Sequence, residues 1–122
     1  MVMSTEAVAR RLVELCRKGM FNEAQDELYS DDAASIEPEG SPFAPARGRA
    51  ALREKGKQFE ASVEAIHSVT VSDPVVAGNY FSCAMTLDMT QKGAARTQFA
   101  EICVFKVRAG KIVHEQFFYD LG

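Results

Sequence analysis

The spacing of hydrophobic residues changes once along the chain, from a helical period to a strand period. Near the start, apolar residues recur at the spacing of one helix face, which predicts a helix buried along that face. These residues are Val8, Leu12, Leu15 and Cys16. Ser4 or Thr5 can cap this helix, and Gly19 ends it. A shorter second helix, capped by Asn22, is predicted to run to about Tyr29.

The middle of the chain alternates between irregular and helical patterns. Residues 31–38 form a short, extended run that ends in proline, and residues 39–48 are rich in proline and glycine, which predicts a loop. A third helix is expected from about Arg49 to Val63, with Phe59 on its apolar side. Gly56 lies inside this helix, where another backbone could approach closely.

From Ala65 onward the pattern is that of β-strands. His67 alternates with polar residues and shares a predicted face with Val69 and Val71. In the next strand every second residue is large and apolar, so one face is expected to be buried. These residues are Phe81, Cys83, Met85, Leu87 and Met89.

Residues 97–120 predict one long β-hairpin, with Gly110 supplying the positive φ of its turn. Glu101 lies in register with Cys103 and Phe105 on an apolar face. An acid buried there must be paired, protonated or used, because a bare buried charge is costly. In the final strand Gln116 shares a face with His114 and Phe118, and Glu115 shares the other with Phe117 and Tyr119. Both faces are mixed, so the pattern does not decide which one points inward.

Three helices followed by four long antiparallel strands predict a single α+β domain over residues 1–122. Its helices are expected to pack on one face of a curved sheet.

Composition narrows the functional classes. The chain has 122 residues and a net charge of −3 without a cluster of basic residues, so nucleic acid and anionic membranes are not expected partners. No apolar run reaches the roughly 20 residues of a membrane span, and no export signal is evident at the start. Three cysteines stand far apart, which favours reduced thiols in the cytoplasm over a disulfide framework or a metal site.

Several motifs together resemble one known family. The run Asp31-Asp32-Ala33, the helix that opens Gly48-Arg49-Ala50-Ala51-Leu52-Arg53, and the hairpin through Gly110-Lys111-Ile112-Val113 are similar to the SnoaL-like branch of the nuclear-transport-factor-2-like superfamily. The resemblance implies a cone, in which a curved antiparallel sheet wraps around three N-terminal helices on its concave side and leaves an apolar pocket. It covers almost the whole chain. Members include ketosteroid isomerase, polyketide cyclases, epoxide hydrolases, dehydratases and non-catalytic proteins, so the fold does not fix the chemistry.

The ketosteroid isomerase pattern can be carried over residue by residue. Ketosteroid isomerase uses an aspartate base and an oxyanion hole made of a tyrosine and a protonated aspartate. Glu37 falls at the position of the base. Leu12 and Cys103 fall at the positions of the two oxyanion donors. Because both donors are absent, steroid isomerase activity is not expected.

The residues expected to carry chemistry are Glu37, Glu101 and His67. Each has a structural alternative: Glu37 can be a solvated acid, His67 a core histidine, and Glu101 the partner of an arginine or of His67. Side chains on the predicted inner faces are expected to contact a ligand. They are Phe59, Phe81, Met85, Cys103, Phe105, Gln116 and Phe118. Cys103 can equally be a small core residue, since no base or cation flanks it.

These residues predict a small hydrophobic ligand and cofactor-independent acid–base chemistry of the isomerase, cyclase, dehydratase or epoxide hydrolase type. The alternative is a non-catalytic module that binds a ligand or dimerises. Homodimerisation through the outer face of the sheet is expected by analogy with the family.

Overall fold

Three helices lie on one face of a seven-stranded sheet in the computed structural model, which describes residues 2–121. The helices are α1 (Thr5–Arg17), α2 (Phe21–Leu28) and α3 (Arg49–Ser62). The strands are β1 (Tyr29–Ile36), β2 (Ala46–Arg47), β3 (Val63–Val71), β4 (Val75–Ala77), β5 (Tyr80–Gln91), β6 (Arg96–Arg108) and β7 (Lys111–Phe118). The order across the sheet is β2-β1-β7-β6-β5-β3, and β4 pairs with β5. This architecture confirms the predicted α+β class.

The first helix forms as its pattern predicts, and the second begins differently. The Ser4 hydroxyl accepts a hydrogen bond from the Ala7 amide at 3.1 Å, which caps α1. The apolar face of α1 is buried in the core. In α2, Asn22 lies inside the first turn and does not cap the helix, because the Met20 carbonyl already accepts from the Ala24 amide at 3.0 Å. The helix ends at Leu28 with Tyr29 as its C-cap, close to the predicted end, and Tyr29 also opens β1.

One strand pairing makes the sheet mixed. The extended run predicted near residues 31–38 is β1, which pairs antiparallel with β2 and parallel with β7. A parallel pair has no connecting hairpin turn, so nothing local in the sequence announces it. Two strands, β1 and β2, precede α3, whereas the sequence pattern places all long strands after the helices.

The hairpin of β5 and β6 supplies the wall of the core. Cys83 lies opposite Cys103 and Met85 lies opposite Glu101, with one face of both strands turned toward the helices. Gly56 in α3 has no neighbouring atom within 4 Å of the position of a Cβ, so the expected close approach of another backbone is wrong.

Two β-bulges decide which side chains face inward. On β3 the register shifts between Ile66 and Ser68. On β7, Val113 is an extra residue between Ile112, which pairs with Val107, and His114, which pairs with Lys106. An extra residue reverses the alternation of side chains beyond it. Consequently Glu115 lies opposite buried Phe105 on the inner face.

Within the described residues, no helix combines the length and the apolar character that crossing a bilayer requires.

Candidate functional site

Three glutamates face the interior of the fold, each from a different element. Glu37 follows the end of β1, Glu101 lies on β6, and Glu115 lies on β7. Parallel pairing of β1 with β7 brings Ser35 opposite Glu115, which places the end of β1 beside the final strand. The three acids differ in what holds them, and this difference defines the site.

Glu37 is held by a lysine and a tyrosine. Lys55 Nζ lies 2.6 Å from Glu37 Oε2, and the Tyr119 hydroxyl donates to Glu37 Oε1 at 2.6 Å. The side chains of Glu37 and Lys55 are only 8% and 16% exposed, so solvent screens this ion pair weakly. Ser41 Oγ lies 2.9 Å from the Tyr119 hydroxyl and extends the cluster to the loop before β2. Both oxygens of Glu37 are therefore occupied.

Glu115 is the most deeply buried of the three acids. It accepts a hydrogen bond from the Tyr29 hydroxyl, and Ser35 also stabilises its charged form. Burial still dominates and raises the pKa of the Glu115 carboxyl above its ordinary range. Burial, together with the nearby Glu115 charge, raises the pKa of Tyr29 well above its usual value, so the phenol stays protonated as the donor.

Glu101 has far fewer partners. Among residues 2–121 the one hydrogen bond to the Glu101 carboxylate comes from the thiol of Cys103, at 3.5 Å from Sγ to Oε1. Burial raises the pKa of Glu101 to about 7; the Cys103 thiol opposes this, and the negative charges of Glu37 and Glu115 add to it. Lys55 lowers the pKa of Glu101 by a smaller amount. Glu101 is thus the interior acid with free hydrogen-bonding capacity and a proton that exchanges near neutral pH.

A cavity of about 510 Å³ opens beside Glu101, where β7 ends and β6 continues. Met85 and Tyr119 line it together with Glu101. Its rim is formed by residues of the outer face of the sheet, which are Ala84, Thr86, Ala100, Ile102 and Phe118. Phe99 stacks edge-on against Tyr119 with ring centroids 4.8 Å apart, which continues the aromatic surface from the cavity toward the core. The cavity therefore combines an apolar wall with two carboxyl groups, those of Glu101 and the exposed Asp120, and one phenol.

A second aromatic group lies near the Glu37 cluster. Lys55 Nζ is 5.3 Å from the centroid of the Phe117 ring, within the range of a cation–π contact. Phe59 packs against Phe43 at 6.4 Å between centroids and is half-buried. Phe59 lies near the loop before β2, and its contact with a ligand stays a prediction from the sequence.

The remaining residues expected to line a ligand site divide between the core and the outer face. Phe81 and Phe105 stack at 4.7 Å in the buried core, and Cys103 is fully buried beside Glu101. Gln116 lies on the outer face of the sheet, opposite Val104, and lines a different groove. Phe118 is also on the outer face but reaches the rim of the cavity beside Glu101.

His67 does not share the face of Val69 and Val71, so that expectation is wrong. The bulge between Ile66 and Ser68 turns the imidazole outward, where its Nε2 lies 2.9 Å from Thr90 Oγ1. The side chain is exposed and forms no hydrogen bond with Glu37 or Glu101. The structure therefore brings Glu37 and Glu101 into one electrostatic cluster and leaves His67 outside it.

Sequence reasoning missed the partners of the acids. These partners are Tyr29, Ser35, Lys55 and Tyr119. Lys55 stands between Leu52 and Phe59 on α3, and a lysine within an apolar helix face signals a buried partner. Tyr29, Ser35 and Glu115 gave no comparable signal, because their meeting depends on the parallel pairing and the bulge.

No group of three or more histidine, cysteine, aspartate or glutamate side chains in residues 2–121 is arranged to hold a metal ion.

Comparison with known proteins agrees with the fold. A structure from Mesorhizobium loti, described as a candidate SnoaL-like polyketide cyclase or carbohydrate phosphatase, is 31% identical. The match covers 96% of this chain and 100% of that one, with a TM-score of 0.90. No curated protein matches the chain.

More distant structures share the fold. A nuclear-transport-factor-2-like protein of unknown function from Burkholderia pseudomallei is 14% identical, covers 97% and 92% of the two chains, and has a TM-score of 0.80. A protein with a ketosteroid isomerase-like fold from Catenulispora acidiphila, in complex with trimethylamine, is 18% identical with coverages of 97% and 88% and a TM-score of 0.76. The profile of the SnoaL-like domain matches residues 3–119, and the chain belongs to the SnoaL-like family.

Proposed function

We propose that this protein binds a small hydrophobic carbonyl compound beside Glu101 and transfers a proton at the carbon next to the carbonyl, without a cofactor. The observation that carries the proposal is the contrast among the interior acids. Glu37 and Glu115 are occupied by strong hydrogen-bond partners, while Glu101 faces a cavity with only a thiol as its partner.

The pKa of Glu101 suits this chemistry. With a pKa raised to about 7 by burial, both the ionised and the protonated forms are present at neutral pH. A group in this range can remove a proton in one step and return it in the next, and such general acid–base catalysis typically contributes about 10²–10⁴-fold in rate. A desolvated carboxylate is also a stronger base than one in water.

Tyr119 lines the same cavity, and its single hydroxyl proton is donated to Glu37. Burial and the hydrogen bond to Glu37 raise the pKa of Tyr119 to about 12, so its hydroxyl stays protonated at neutral pH. Glu37 is fixed by Lys55 and in turn fixes this phenol. In the proposed mechanism the ring of Tyr119 packs against the ligand while Glu101 acts on the carbon next to the carbonyl.

The Mesorhizobium loti relative supports the reaction class. It is described as a candidate polyketide cyclase and is 31% identical over almost the whole chain. Aldol-type cyclisation begins with removal of a proton from a carbon next to a carbonyl, which is the step assigned to Glu101. Isomerisation and dehydration of carbonyl compounds share this first step.

Hydrogen–deuterium exchange tests the proposal without knowledge of the natural substrate. Small hydrophobic ketones with acidic α-hydrogens are incubated with the protein in D₂O, and loss of the α-proton signal is followed by NMR. We expect wild-type protein to accelerate exchange, with the rate rising as the pH passes about 7. Glu101→Gln should lower the rate by about 100-fold or more, since the residue no longer titrates.

Glu64→Gln is the matched control, because Glu64 is an exposed glutamate on β3 away from the cavity. It should exchange protons at the wild-type rate. If Glu101→Gln retains wild-type exchange, the assignment of Glu101 is wrong. If ketones bind tightly with no exchange at any pH, the protein is a ligand-binding module and not an enzyme of this class.

A further inference from the structure

A groove of about 690 Å³ crosses the outer face of the sheet near the turn between β6 and β7. Its lining is strongly basic. The basic residues are Arg47, Lys106, Arg108, Lys111 and His114. One acid, Asp32, lies among them, and its carboxylate accepts a hydrogen bond from Ser30 at 2.9 Å.

This concentration of positive charge is unusual for a chain with a net charge of −3. Of its 14 lysines and arginines, eight form ion pairs with carboxylates of residues 2–121. The six without such a pair in that range are Arg47, Lys57, Lys92, Lys106, Arg108 and Lys111. Four of these six line the groove. Most of the cations without an ion pair are therefore gathered in one place, where Lys111 donates a hydrogen bond to the Glu27 carbonyl at 2.8 Å.

Strand register creates this arrangement. Lys106 lies directly opposite His114, and Arg108 lies directly opposite Lys111, so basic residues face each other across β6 and β7. Like charges at directly opposite positions destabilise a sheet. The bulge at Val113 turns both Val113 and His114 toward the groove. A bound anion would offset the repulsion that this pairing builds into the fold.

The groove also has an aromatic wall. Tyr80 is 50% exposed, and Lys106 Nζ lies 5.7 Å from the centroid of its ring. A flat group could stack on this ring beside the cations.

We propose that this groove binds a phosphorylated small molecule, with its phosphates between Arg47, Lys106 and Arg108 and a flat portion on Tyr80. Arginine guanidinium groups bind phosphate oxygens through paired hydrogen bonds. The volume lies within the range of about 300–1,000 Å³ that is usual for small-molecule sites. The protein has a net charge of −3. A long nucleic acid would extend beyond the groove over acidic parts of the surface, which would repel it, so a small anion is the better ligand.

Isothermal titration calorimetry of the full chain with inorganic pyrophosphate and with adenosine diphosphate tests this site. We expect both probes to bind at low salt and to bind more weakly as NaCl increases. The double variant Lys106→Ala/Arg108→Ala should weaken pyrophosphate binding by about tenfold or more, because two charge-assisted contacts are lost. Tyr80→Ala should weaken adenosine diphosphate and leave pyrophosphate unchanged.

The matched control is Lys57→Ala/Lys92→Ala, which removes two cations that also lack ion pairs but lie outside the groove. It should bind both probes as the wild type does. Equal weakening in the two double variants, or no binding of either probe at low salt, would overturn the proposal. An oligonucleotide that binds more tightly than adenosine diphosphate would overturn the assignment to a small molecule.

Discussion

Three interior glutamates show how neighbours set the properties of one residue type. Lys55 neutralises Glu37, while deep burial and the Tyr29 hydroxyl govern Glu115. Glu101 has only the Cys103 thiol as a hydrogen-bond partner and therefore carries the burial cost with the least compensation. At the scale of single residues, the burial of Glu101 lowers the free energy of unfolding, and this effect can be measured.

The pKa of Glu101 predicts how stability depends on pH. Burial raises this pKa from 4.5 to about 7, so the folded chain holds the proton more tightly than the unfolded chain. The resulting penalty is absent below about pH 4.5 and complete above about pH 7. Relative to wild type, Glu101→Gln should gain stability as the pH rises across this window, by at most about 3 kcal/mol.

Urea unfolding of both proteins at pH 5 and pH 8 measures this effect. The gain in the free energy of unfolding should be larger at pH 8. Glu64→Gln, at an exposed position, should show no such difference between the two pH values. A Glu101→Gln gain that is the same at both pH values would show that burial does not perturb this carboxyl.

The turn between β6 and β7 is the element that ties the start of the chain to the sheet. Ala109 and Gly110 both have positive φ, at 50° and 76°. A Cβ at Gly110 would lie 2.6 Å from Val2 Cγ1 and 3.0 Å from the Met3 nitrogen. Gly110 is therefore required for two reasons, its backbone conformation and the close approach of the N-terminal segment.

Substitution of two glycines separates these reasons. Gly93 has the same φ of 76°, but a methyl group added there would have no neighbouring atom within 4 Å. Gly93→Ala should lose about 1–2 kcal/mol through backbone strain alone. Gly110→Ala should lose about 1–3 kcal/mol more, because the methyl group also overpacks the site. Equal losses in urea unfolding would show that the N-terminal segment moves aside freely.

At the scale of elements, regular periodicity was sufficient to predict α1 and the long hairpin. The buried residues of β5 alternate without interruption, so their face could be assigned from the sequence. The faces of β7 could not be assigned, because the extra residue Val113 reverses the alternation within the strand. The predicted face of His67 was wrong for the same reason, because the bulge in β3 cannot be recognised from the residue types around it.

The candidate site could also be predicted only in part from the sequence. Glu101 was identified because an acid in a row of large apolar residues requires an explanation. The partnership of Glu37 with Lys55 and Tyr119 joins three separate parts of the chain, so it depends on the tertiary fold. Single-sequence patterns report local periodicity and carry no information about such long-range pairs.

At the scale of the whole molecule, the outer face of the sheet exposes an apolar surface. Ile102 and Phe118 lie directly opposite each other on β6 and β7, and they are 48% and 49% exposed. Ala84 on β5 lies opposite Ile102 and extends this apolar surface. Because adjacent exposed apolar residues favour association, we expect two copies of the chain to pair through the end of this face that carries Ile102 and Phe118, with the basic residues of the groove outside the contact.

Size-exclusion chromatography with light scattering tests this pairing at micromolar concentration. We expect wild-type protein to elute as a dimer and Ile102→Lys or Phe118→Lys to elute as a monomer. Met20→Lys is the control, because Met20 is also an exposed apolar residue but lies between α1 and α2. A monomeric wild-type protein at these concentrations would contradict the expectation.

The parallel contact between β1 and β7 also dictates when the interior can be completed. Tyr29 and Glu115 are 86 residues apart, and Glu37 and Tyr119 are 82 residues apart. During synthesis, a nascent chain that has not yet produced β7 leaves one side of β1 without a strand partner, Tyr29 without Glu115 and Glu37 without Tyr119. Pairings this distant close late and slowly. The acidic cluster is thus assembled late in folding, because it requires β7 to pair with β1.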